Sequence, residues 1–239
     1  MAAAREGHAK VMRLLMERED VDLQVRDWRG MSLLGAAAQY GHLEAVRLLL
    51  GWGGGVEVDV RDNTGKTPLL LAAWLKESDI VHWRREELEV VRLLLETEGV
   101  DVHARDEYGR GALAQAVGCR KGNLDMVALL LEGGVDVEAR DKWGATPLLA
   151  AAEWGNTEVL TLLLERGADV HARNFDGMGA LSLAARNRNH EVMALLLERG
   201  YADVNELDDN ARRLLAVAME AREPDSDDYE SYHDIVDAE

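Results

Sequence analysis

The chain repeats itself, and that constrains its fold more than any other feature. Arg26-Asp27, Arg61-Asp62, Arg105-Asp106, Arg140-Asp141 and Arg173-Asn174 recur at spacings of 35, 44, 35 and 33 residues. A leucine triplet keeps the same rhythm, at Leu48–Leu50, Leu93–Leu95, Leu129–Leu131, Leu162–Leu164 and Leu195–Leu197, and each segment closes on a glycine, at Gly51, Gly99, Gly133, Gly167 and Gly200. One unit reads as a turn, a short Ala-rich apolar segment, a second apolar segment ending in Leu-Leu-Leu, then Gly. No such unit buries its own apolar face, so the units must stack.

Each piece has a physical cause. In Lys66-Thr67-Pro68-Leu69 and Ala145-Thr146-Pro147-Leu148 the Thr caps a helix and the Pro fits its first position. The Ala runs that follow, such as Ala150-Ala151-Ala152, let a neighbouring helix approach closely. The second segment, such as Glu158 to Leu164, carries a broad apolar helical face. The trailing Gly supplies the left-handed conformation that ends a helix. Residues 167–177 then predict a tight hairpin-like turn into the next unit.

Charge narrows the function. The 239 residues hold 27 Lys and Arg against 45 Asp and Glu, a formal net charge of -18, which repels phosphate backbones and anionic lipid headgroups. Nucleic acid and membrane are therefore excluded as expected partners. Charged residues interrupt every apolar run before the roughly 20 needed to span a bilayer, and the start carries no signal-type apolar core. The single cysteine, Cys119, excludes an intrachain disulfide and suits a reducing compartment, so a cytoplasmic protein is expected, with the nucleus as the alternative. Three prolines and one Phe beside abundant Ala and Leu point to a mostly helical chain with few long strands.

These motifs closely resemble the ankyrin repeat family. Residues 62–73 and 141–152 carry the Asp-x-x-Gly-x-Thr-Pro-Leu pattern, and 158–173 supply the second half of a unit. The resemblance covers residues 1–222 and implies an all-α solenoid of helix-turn-helix units joined by hairpin-like connections. The units divide as a partial first one, 1–26, then 27–61, 62–105, 106–140, 141–173, 174–207 and a degenerate closing unit, 208–222. Leu70 and Leu149 replace the family's His, and the units 106–140 and 174–207 carry Gly111-Ala112 and Gly179-Ala180 in place of Thr-Pro, a helix-start device worth about 1 kcal/mol. Extra residues around 76–87 account for the spacing of 44.

The resemblance also implies a concave face built of hairpin tips and inner-helix ends. Its positions include Trp28, Met31, Lys66, Tyr108, Arg110, Trp143, Phe175, Asp176 and Met178 at hairpins, and Gln39, Tyr40, Trp74, Cys119, Glu153, Trp154 and Arg186 at helix ends. The only Phe and four of the six Trp fall in this set. Rigid aromatic rings give large contact area at low entropy cost, so a partner-binding groove is expected at Trp28, Tyr40, Trp74, Tyr108, Arg110, Trp143, Glu153, Trp154, Phe175, Asp176 and Met178. Its expected occupant is a protein segment bearing basic residues. The rival is a small-molecule binder or cyclase-like enzyme, in which Trp74, Tyr108, Trp143 and Trp154 close into a pocket of roughly 300–1,000 Å³. A third possibility is a fragment of a larger array.

The remaining features point to framework. His8, His42, His103 and His171 sit at turn positions as inter-unit hydrogen-bond partners, and no His/Cys spacing suits a metal. Gly51-Trp-Gly-Gly-Gly55 lacks the Lys-Ser/Thr of a phosphate loop and reads as a lengthened turn. No catalytic residue and no cofactor are expected. Trp83 and Ile80 of the extra segment are expected to fold back on the stack. The tail, 223–239, holds eight acids and no Lys or Arg, so the array without it still carries -10, and low apolar content predicts disorder there.

Overall fold

A computed structural model describes residues 1–18, 21–52, 56–74, 85–118, 124–202 and 212. Within them every regular element is a helix. Six helix pairs follow one another: α1 (Ala2–Arg5) with α2 (Ala9–Met16), α3 (Leu33–Gln39) with α4 (Leu43–Gly51), and α5 (Pro68–Ala73) with α6 (Arg85–Leu95). Then come α7 (Ala112–Val117) with α8 (Leu124–Glu132), α9 (Pro147–Trp154) with α10 (Thr157–Glu165), and α11 (Ala180–Arg186) with α12 (His190–Glu198). First helices pack on first helices of the next pair (α3 on α5, α5 on α7, α7 on α9, α9 on α11), and second helices on second helices from α2 to α12. That is a solenoid in two parallel layers, as the repeat requires.

The repeated residues explain the stacking. The middle Leu of every triplet (Leu49, Leu94, Leu130, Leu163, Leu196) is buried to 1% exposure or less, each worth about 1.5–3 kcal/mol of apolar burial. Ala72, Ala73, Ala151, Ala152, Ala184 and Ala185 fill the first-helix layer without holding its helices apart. Thr67 and Thr146 accept the amides of Leu70 and Leu149 as helix caps, and Ser32 does the same for Gly35. Gly111 and Gly179 cap α7 and α11 with no side-chain bond.

The Arg-Asp dipeptide builds the connections. The Oδ1 of Asp27, Asp62, Asp106, Asp141 and Asn174 accepts the amides two and four residues on, closing a turn. The glycine in each turn, such as Gly65 and Gly109, has φ near +77°, and a Cβ there would lie 2.9–3.0 Å from a backbone nitrogen of the next turn. Only glycine satisfies both demands. Successive turns are joined by amides of Asn63, Glu107, Lys142 and Phe175 donating to the carbonyls of Arg29, Thr64, Tyr108 and Trp143 at 2.8–2.9 Å. The repeating arginine spans two units: Arg140 donates to Gly144 O in its own turn and to Arg173 O in the next at 2.9 and 2.8 Å. Arg61 and Arg105 do likewise, reaching the carbonyls of Arg105 and Arg140.

Several expectations change. Gly51 lies inside α4, and at 133–134 the left-handed residue is Gly134, one place later than expected; Gly99, Gly167 and Gly200 do take positive φ. Arg85, Glu86 and Glu87 belong to the first turn of α6 and not to the extra segment. Residues 75–84 with Ile80 and Trp83, together with Cys119, Gly53 to Gly55 and the tail 223–239, lie outside the described residues, as does the closing unit apart from Arg212.

Candidate functional site

The five turns present equivalent positions, and their side chains divide by place in the turn. The two residues after the Asp or Asn form the tip. Here Trp28 is 80% exposed, Phe175 75%, Trp143 55% and Tyr108 42%. The residue four places on lies beneath the tip, toward the first helix. This position holds Met31 and Lys66, which are 4% and 6% exposed, and the partly buried Arg110, Ala145 and Met178. Met31 therefore belongs to the core. Gln39, expected at a helix end on the groove, is buried as well.

At the centre the structure brings several expected residues together. The rings of Tyr108 and Trp143, from adjacent turns, stack with centroids 5.9 Å apart and planes 13° from parallel. The Arg110 guanidinium lies 4.8 Å from the Tyr108 centroid. Its Nη2 and Nε donate to Asp106 Oδ2 at 2.9 and 3.0 Å, and Gln115 donates to the same oxygen at 2.8 Å. Asp106 is buried and each of its oxygens is hydrogen-bonded, which satisfies the cost of its burial. Beside it, Lys66 Nζ lies 3.8 Å from the centroid of Trp74, a residue that caps α5 and is 39% exposed. Burial first, and then the nearby Arg110 charge, lower the Lys66 pKa from its ordinary value, while Asp106, Asp62 and Glu107 oppose them.

A second group forms one unit on. Arg186 Nη2 pairs with Glu153 Oε1 at 3.0 Å, and its Nη1 lies 3.4 Å from Met178 Sδ. Asp176 is exposed at the neighbouring tip. The Phe175 ring lies against Gly144, where an added Cβ would come within 2.6 Å of it. Other expected residues stay apart. Trp28 has Arg29 over its ring at 4.7 Å, and Tyr40 lies near-parallel to His42 at 6.2 Å. Trp154, 43% exposed at the end of α9, touches no other ring among the described residues.

A cavity of about 330 Å³ is lined by residues including Val102, His103, Arg105, Gly111, Val135 and Asp136. Trp74, Tyr108, Trp143 and Trp154 are not in its walls, so it is not the aromatic pocket that the small-molecule reading requires. His42 hydrogen-bonds Arg5 O at 2.8 Å, and Asn189 bonds Ala152 O and Glu153 O at 2.8 and 2.7 Å. Both polar side chains therefore link a turn to the preceding unit. Among the described residues no three His, Cys, Asp or Glu side chains gather as a metal cluster, and no helix is long and apolar enough to cross a membrane.

Paired helices, stacked layer on layer and joined by turns in register, define a repeat solenoid. The family description "Ankyrin repeats (3 copies)" matches residues 1–83 and 84–174, and "Ankyrin repeat" matches 176–209. The chain belongs to the ankyrin repeat family. It is 37% identical over 119 residues to the human ankyrin repeat domain-containing protein 63, a match covering 50% of this chain and 29% of that protein. It is 36% identical over 132 residues to the mouse B-cell lymphoma 3 protein homolog, covering 55% and 26% respectively. The chain thus matches less than a third of the length of these relatives. The crystal structure of EF0377, an ankyrin repeat protein, superposes with a TM-score of 0.68 at 24% identity, over 82% of this chain and 95% of that one. Proteins of this family are generally protein–protein interaction modules.

Proposed function

We propose that this chain is a noncatalytic interaction module that holds an extended protein segment across its turn tips and first-helix ends. Trp74, Tyr108, Arg110 and Trp143 form the centre of that groove, Glu153, Trp154, Phe175, Asp176 and Met178 one flank, and Trp28 and Tyr40 the other. The observation that carries this reading is the exposed Tyr108–Trp143 stack. Two large rings held in place by each other and by bonded turns lose little entropy on binding, which is the character of an interface anchor. The single cysteine supports a reducing compartment, cytoplasm or nucleus, as the place of action.

The test is selection of a random peptide library on the full chain. Retained peptides should be lost by the Trp74→Ala, Tyr108→Ala, Trp143→Ala triple variant while its circular dichroism stays that of the parent. Peptides held equally by both proteins contradict the groove.

A further inference from the structure

The position beneath the turn tip is apolar in three of the five turns, at Met31, Ala145 and Met178, and cationic in two successive ones, at Lys66 and Arg110. The stack does not need charge there. Lys66 is 6% exposed, yet among the described residues its ammonium has no carboxylate within 4 Å and no hydrogen bond, only the Trp74 face. Its natural counter-ions are committed elsewhere. Asp106 gives one oxygen to the Tyr108 and Arg110 amides and the other to Arg110 and Gln115. Asp62 Oδ1 takes the Thr64 amide, the Thr64 hydroxyl and the Lys66 amide. Glu107 is exposed at the tip. Asp62, Asp106 and Glu107 attract Lys66 from farther off, but among the described residues none pairs directly with the ammonium, which is poorly solvated and held against an exposed groove ring.

We propose that Lys66, backed by Arg110 and walled by Trp74, forms an anion subsite that takes the carboxylate of an Asp or Glu from the bound peptide, beside an apolar residue seated on Tyr108 and Trp143. This rests on the groove reading above. A desolvated cation with no direct ion pair favours an arriving anion, because a charge-assisted bond in a partly dehydrated site outweighs its equivalent in water. Burial lowers the Lys66 pKa, and a bound carboxylate reverses that cost. One unpaired ammonium matches a monoanion. A dianionic phosphate would bring an unbalanced negative charge into a protein that already carries -18. The segment it selects is acidic at this point, not basic.

The test compares peptides selected on the full wild-type chain. Selected peptides should share an Asp or Glu next to an apolar residue, and exchanging that acid for its amide should weaken binding about tenfold. Lys66→Met should erase this difference and Lys66→Arg should retain it. Both variants should fold, since the bonds between residues 62 and 66 that shape this turn are made by the Lys66 backbone. The subsite is overturned by equal affinity of acid and amide peptides, by enrichment of Lys or Arg, or by an acid preference that survives Lys66→Met. A phosphoserine replacement binding tenfold tighter than Glu would assign the site to phosphate and overturn the carboxylate. Failure of every peptide to depend on the aromatic triad removes the groove itself and this subsite with it.

Discussion

Asp59 holds its carboxylate half-buried between two turns, where Oδ2 accepts the Asp101 amide at 2.6 Å and Oδ1 is buried with no hydrogen-bond partner among the described residues. Burial chiefly, and then the Asp101 charge, raise its pKa above 3.8, while the Asp101 amide and Arg61 pull the other way. As pH rises past 3.8 the unfolded chain releases this proton before the folded one, so stability is lost through the window above 3.8. Asp59→Asn keeps an oxygen for the Asp101 amide and removes the charge. It should raise the melting temperature at pH 7, and the gain should vanish below pH 3.8; thermal melts of both proteins across pH check this. Residues of this kind mark where the sequence stops being legible. The family resemblance set Trp143, Tyr108 and Trp74 at hairpin and helix-end positions, and all three side chains are exposed there. It did not reveal that Met31 and Lys66 lie beneath their turns, since burial there follows from the turn hydrogen bonds and the helix below. Nor did it show Asp106 bound to Arg110 and Gln115, a network that one turn makes and the others do not.

At the scale of the element, capping accounts for what was legible. Thr67 and Thr146 cap their helices as Thr-Pro predicts, and Ser32 does the same without Pro. Gly111 and Gly179 sit in extended backbone at φ -85° and -91°, where a Cβ would meet nothing closer than a carbonyl at 3.8 Å. A Cβ is accommodated there without strain. Gly111→Thr and Gly179→Thr should each stabilise by about 0.5–1 kcal/mol, from an added cap and a less flexible unfolded chain. Thr146→Ala should cost about 1 kcal/mol. Urea titrations of the three variants measure both signs, and a loss on adding Thr would show that the glycines serve something other than backbone economy. The helix ends were less legible than the starts: a glycine after Leu-Leu-Leu stays helical at Gly51, and at 133–134 the left-handed conformation falls on Gly134, because two candidates were adjacent.

Across the described residues each helix pair packs on the pairs beside it, so stability should vary along the stack. α9 and α10 are packed on both sides, whereas α2 leaves Val11, Leu14 and Leu15 at 47%, 66% and 43% exposure. Amide hydrogen exchange should open first before Trp28 and be slowest over 141–173; uniform protection from end to end would contradict the one-dimensional account. The same modularity lets recognition be separated from folding. Trp143 and Trp154 are exposed, and neither is part of the Leu and Ala framework that joins units. The most direct measurement is affinity for a selected peptide and melting temperature on the same two proteins, Trp143→Ala and Trp154→Ala. The groove account predicts a loss of about 2 kcal/mol or more in binding, with melting shifted by only a few degrees. Unchanged affinity in both variants, or binding lost only in step with unfolding, would contradict it.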